Sequence, residues 1–88
     1  MKPLNANERA VLVAMADYGV GYFMNFHYFA DKTKLDRKAV RRACRSLSRK
    51  GLSAFRIGLW SEDGEPAGAG YGITEQGSLA LASLEVAQ

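Results

Sequence analysis

Eighty-eight residues, 48% of them hydrophobic and 24% charged, suffice for one domain with a single modest core, spanning residues 1–88. No run of about 18 apolar residues is present and no basic leader precedes an apolar stretch, so no membrane-spanning helix is expected and the chain reads as soluble and cytoplasmic. The single cysteine, Cys44, excludes an internal disulfide framework, and the formal net charge of +3 conceals a strong asymmetry: residues 32–56 hold ten Lys or Arg against Asp36 alone, while only acids follow Arg56.

In chain order, "NANERAVLVAMADYG" opens with Asn5 three residues before Glu8, the spacing of a capping box. Val11, Ala14, Met15 and Tyr18 follow at helical spacing, Leu12 and Val13 widen the apolar surface, and Gly19 is the stop. "VGYFMNFHYFADKTKL" is an aromatic-rich entry to a short helix capped by Asn25 and ending near Thr33, with Phe26, Phe29 and Ala30 on one face. A third helix starts at the N-cap residue Asp36 and runs to about Lys50, with Gly51 placed as its left-handed stop. Beyond it the period changes. In "SAFRIGLW", Phe55, Ile57 and Leu59 alternate with Arg56, Gly58 and Trp60 as in a strand. "SEDGEPAGAG" is turn chemistry throughout, and "YGIT" is a second short strand with Tyr71 and Ile73 on one face. "TEQGSLALASLEVAQ" is a last helix capped by Thr74.

The third helix carries the strongest signal. At about 100° per residue from Arg37, the residues Ala39, Val40, Ala43, Cys44 and Leu47 fall on one arc, and Arg37, Lys38, Arg41, Arg42, Arg45 and Arg49 on the opposite one. Only Lys50 strays, at the end where a cation suits the helix dipole. Arg37–Arg41, Lys38–Arg42, Arg41–Arg45 and Arg45–Arg49 are like-charge pairs at i,i+4, each destabilising by about 0.2–0.5 kcal/mol. A face serving solubility alone would gain from interspersed glutamates. Phosphates reverse the cost, so the ridge points to a nucleic acid.

Other chemistry is thin. No Ser-His-Asp or Cys-His arrangement, carboxylate pair or phosphate loop is placed to act, so no enzyme, catalytic residue or cofactor is expected. One His and one Cys, His27 and Cys44, fall short of a metal site. Cys44 lies on the apolar arc and reads as a buried, inert thiol. Tyr22, Phe23, Phe26, Tyr28 and Phe29 read as core and cover, with stacking on single-stranded bases the minor reading. Trp60 alternates away from the core face of its strand.

The ordered set of elements resembles the winged helix-turn-helix family, in particular its MarR-like branch of bacterial and phage regulators. "FADKTKLDRKAVRRACRSLSRKGL" corresponds to the helix-turn-helix and "YGITEQGSLAL" to the exit from the wing. The resemblance covers nearly the whole chain and implies an α+β winged helix-turn-helix: a three-helix core, a β-hairpin wing and a short C-terminal helix. It also implies a sequence-specific double-stranded DNA-binding regulator whose helix 36–50 enters the major groove. Arg37, Lys38, Arg41 and Arg42 would then face base edges or nearby phosphates, Arg37 and Arg41 reading bases directly. Lys32, Lys34, Arg45 and Arg49 would hold the backbone, and Arg56 is the only wing base. A homodimer is expected through the first helix around Leu12 and Val13 and the last helix with Leu79, Leu81, Leu84 and Val86. Two departures stand out: the tip carries Glu62, Asp63 and Glu65 where relatives often carry a base, and only one short terminal helix is present. The alternatives are a winged helix that docks a protein through Trp60 and the acidic tip, and an RNA-binding protein.

Overall fold

The computed structural model describes the backbone of residues 4–60 and 66–86 and the side chains of residues 4–56 and 70–83. The elements are α1 (Ala6–Ala16), α2 (Phe26–Thr33), α3 (Arg37–Arg49), β1 (Ser53–Trp60), β2 (Pro66–Ile73) and α4 (Glu75–Val86). Every helix begins at a side chain that satisfies an orphan N–H of its first turn. Asn5 Oδ1 accepts from the Glu8 N–H at 2.7 Å while Glu8 Oε1 accepts from the Asn5 N–H at 3.1 Å, a complete capping box. Asn25 Oδ1 accepts from Tyr28 N–H at 2.9 Å, Asp36 Oδ1 from Ala39 N–H at 2.7 Å, and Thr74 Oγ1 from Gly77 N–H at 3.0 Å.

The α3 C-terminus closes as the glycine pattern requires. Gly51 has φ +79°, its N–H donates to Ser48 O at 3.0 Å, and the Leu52 N–H donates to Leu47 O at 2.9 Å, which is a Schellman motif. The Thr74 hydroxyl donates to Gly51 O at 2.7 Å, so the same threonine that starts α4 also ties it to the end of α3.

The core lies between the three helices and the base of the hairpin: Val11, Leu12, Met15, Phe29, Val40, Ala43, Cys44, Leu47, Leu52, Tyr71, Ile73 and Leu81 are all buried. α1 packs chiefly on α3, and α2 closes the other side of both. β1 and β2 pair antiparallel, with Ser53 opposite Ile73 and Phe55 opposite Tyr71, and register shifts follow Arg56 and Leu59. Met24 adds a bridge on the free side of β2, its N–H donating to Tyr71 O at 3.0 Å and its carbonyl accepting from Tyr71 N–H at 2.9 Å. Gly72 makes that approach possible: a Cβ there would collide with the Tyr22 carbonyl oxygen.

The structure departs from the sequence reading at several points. β2 starts at Pro66, so residues 66–70, read as turn, are strand. α1 ends at Ala16, with Asp17 as C-cap, and Tyr18 lies beyond it at 51% exposure. An acid opposes the negative helix end, which favours this early stop. Phe55 is 54% exposed rather than core, because only the foot of the hairpin meets the helices. Leu12, assigned to a dimer surface, is fully buried in its own core and offers no such surface. The acidic tip (Glu62, Asp63 and Glu65) and the side chains of Trp60, Leu84 and Val86 lie outside the described residues.

Candidate nucleic-acid interface

The two arcs read from the sequence of α3 separate in space. Val40, Ala43, Cys44 and Leu47 are buried, and Arg37, Lys38, Arg41, Arg42, Arg45 and Arg49 are all exposed. Burial of the apolar arc against α1 and α2 therefore fixes which way the basic arc faces. Lys38, Arg41, Arg42, Arg45 and Arg49 line one open groove of about 330 Å³. Arg37, Lys38 and Arg41 share a second of about 310 Å³ with Phe26. Among the described residues none of the six ridge cations has an ion-pair partner. Among the described residues, self-repulsion along the ridge is thus left uncompensated by ion-paired acids.

Cations off the helix behave differently. Lys32 pairs with Asp17 at 3.5 Å, a contact with both side chains about half exposed, and Lys34 is exposed. Lys34 closes α2 with φ +63°, in the left-handed region, and is the only non-glycine there among the described residues. That conformation costs an L-residue about 1–2 kcal/mol and suits Gly or Asn better. Arg56 is exposed on β1, its guanidinium carbon 5.5 Å from the Phe23 ring centroid. Arg41 stands in the same relation to Phe26 at 5.8 Å.

Lys50 does not belong to the ridge. Its ammonium donates to Glu8 Oε2 at 2.7 Å, and the Ser46 hydroxyl donates to the same oxygen at 2.6 Å. Glu8 is only 3% exposed. Burial pushes its carboxyl up, but the hydrogen bonds from Lys50, Ser46 and the Asn5 N–H, with the Lys50 charge, outweigh burial and hold it below its ordinary value. The pair locks the start of α1 to the end of α3. This partnership was missed in the sequence, although a signal was present: Glu8 sits at i to Val11, Leu12 and Met15 at i+3, i+4 and i+7, an acid on the apolar stripe that demands a buried partner.

Cys44 is fully buried and its thiol is pushed up to about 12 by desolvation, so it stays protonated and unreactive. His27 is exposed on α2, and among the described residues no cluster of His, Cys, Asp or Glu could hold a metal ion. No helix among them is long and apolar enough to cross a membrane.

No family model and no curated protein sequence matches the chain. Solved structures do. Bordetella bronchiseptica BpsR, a protein whose DNA binding is regulated by 6-hydroxynicotinic acid, aligns over 97% of this chain and 56% of its own at TM-score 0.78 and 18% identity. NMB1585, a MarR-family regulator of Neisseria meningitidis, aligns over 96% of this chain and 54% of its own at TM-score 0.70 and 25% identity. A Ralstonia eutropha protein assigned to DNA binding aligns over 93% of this chain and 98% of its own at TM-score 0.72 and 18% identity. The chain spans about half the length of BpsR and NMB1585 and nearly all of the third protein. The fold is the α+β winged helix of MarR-family regulators.

Proposed function

We propose that this chain is a sequence-specific double-stranded DNA-binding protein and a regulator of transcription, with α3 as the helix that enters the major groove. The observation that carries the reading is the ridge itself: six exposed cations on one helix face, none ion-paired among the described residues. Four like-charge i,i+4 contacts cost the free protein about 1–2 kcal/mol, and duplex phosphates would turn that cost into attraction. Arg37 and Arg41, near the start of α3, are assigned to base edges, since an arginine fork matches guanine O6 and N7. Lys38 and Arg42 flank them. Lys32, Lys34, Arg45 and Arg49 are assigned to phosphates, which position the helix without reading sequence. Arg56 is the wing contact.

A single recognition helix covers few base pairs, and two-fold pairing of protomers on two half-sites is the usual geometry. We assign the dimer contact to the exposed faces of α1 and α4, where Val13 is 44% and Leu79 is 71% exposed. Regulation by 6-hydroxynicotinic acid is a property of BpsR, and no effector is assigned here. Cytoplasmic location and the absence of enzymatic activity follow from the regulator reading. Selection of binding sites from a random duplex library, followed by competition with duplex RNA and single strands, tests it. A defined duplex consensus is the expected outcome, and preference for RNA or single strands would contradict it.

A further inference from the structure

Two arginines assigned to DNA, one on α3 and one on the wing, are each met by an aromatic ring from neither element. Phe26 is the first residue of α2 and Phe23 lies in the connection before it. The Arg41 guanidinium carbon is 5.8 Å from the Phe26 ring centroid, and that of Arg56 is 5.5 Å from the Phe23 centroid. Both distances lie within cation–π range.

Neither ring is free to wander. Phe26 packs on Tyr71, 5.7 Å between centroids, and Tyr71 is 8% exposed and packs in turn on Phe55 at 5.1 Å. The Met24–Tyr71 backbone bridge pins the connection between the two phenylalanines. On the other face of β2, Phe23 Cδ2 would stand 3.2 Å from a Cβ at position 72, so Gly72 seats this ring as well.

We propose that Phe23 and Phe26 are positioning residues for DNA recognition, presetting Arg56 and Arg41 before the duplex arrives. The proposal rests on the DNA-binding reading above. An arginine side chain loses rotamer freedom when it reads a base, and a ring that already restricts it removes part of that loss from the binding step. All five guanidinium N–H donors lie in its plane, so an arginine held by a ring through its face keeps its fork for guanine. Lysine has no such fork and would not serve. Specificity at the base pair read by Arg41 thus depends on a residue outside the recognition helix.

The test is a double-mutant cycle on the duplex selected from a random library, using Phe26→Leu, Phe26→Tyr and Arg41→Ala, with thermal melts to verify folding. Phe26→Leu is expected to weaken binding about two- to fivefold and to flatten preference at the base pair that Arg41→Ala also flattens. It should have almost no further effect in the Arg41→Ala background, and Phe26→Tyr should restore binding. In the free protein, the upfield ring-current shift of the Arg41 δ-protons should vanish in Phe26→Leu and persist in Phe26→Tyr. Should Phe26→Leu fail to fold, Phe23→Leu in cycle with Arg56→Ala carries the same expectations for affinity, for non-additivity and for the ring-current shift of the Arg56 δ-protons. Equal losses in both arginine backgrounds, or unchanged base preference, would overturn the proposal while leaving DNA binding intact. A folded wild-type protein with the ring-current shift but no duplex binding would overturn the DNA reading, and the proposal with it.

Discussion

Replacing Lys50 with methionine isolates the buried pair that joins α1 to α3. Met keeps most of the apolar stem but leaves the Glu8 carboxylate, 4% exposed in its side chain, with only Ser46 and the Asn5 N–H. Removing one partner of a buried pair costs about 3–5 kcal/mol, and the lower end applies because the Lys50 side chain keeps 19% of its surface in water. A loss of about 3 kcal/mol in a domain of this size lowers the melting temperature by about 12–24 °C at pH 7. The pH dependence has a definite sign. Glu8 in the wild type is held below its ordinary value of 4.5, so its contribution is present above that value and is lost as pH falls through the folded pKa. Without Lys50, burial dominates and pushes the carboxyl up, so acid relieves the variant. The gap between the two proteins should narrow from about 3 kcal/mol at pH 7 towards zero at an acid pH below the folded pKa of wild-type Glu8, where both carboxyls are protonated. Thermal and urea unfolding followed by circular dichroism at both pH values measure it. A gap below about 1 kcal/mol at pH 7, or one indifferent to acid, would refute the reasoning and make the pair equivalent to a surface contact.

Arg41→Ala should cost about 1–3 kcal/mol on the selected duplex and relax its base preference, whereas Arg49→Ala should weaken all sequences alike, as competition assays would show. Lys34→Gly should leave the melting temperature unchanged or raise it by a few degrees, because glycine accepts the left-handed φ, yet still weaken DNA binding through a lost phosphate contact. Leu79→Glu should shift sedimentation towards monomer without loss of folding, while Leu12→Glu should unfold the protein, since burying an unpaired carboxylate in the core is strongly destabilising.

Local rules were legible wherever one residue type could satisfy one backbone demand. Asn5, Asn25, Asp36 and Thr74 start their helices and Gly51 ends α3 as their chemistry requires. The ridge was legible too, because a helix with two non-overlapping arcs leaves only one orientation against a core. What escaped the sequence was set by partners distant along the chain. "PAGAG" carries almost no side-chain signal for a strand, and its extension comes from pairing with β1. Phe55 alternates correctly but stands where the hairpin leaves the helices, so pattern alone overestimates its burial. Lys50 looked like a helix-end cation, and only the α1–α3 packing reveals the carboxylate that takes it. Phe23 and Phe26 read as cover, and their placement against arginines depends on Gly72 and Tyr71, about fifty residues later in the chain.

The central claim is that the α3 ridge holds a DNA duplex by its phosphates, and a salt titration of the wild-type protein on duplex DNA tests it most directly. If about six cations per protomer contact phosphates, log K should fall against log salt with a slope of about −5. Duplex RNA and single strands, measured in the same series, should bind more weakly at every salt concentration. A flat salt response, or stronger binding to RNA or single strands, would contradict the account.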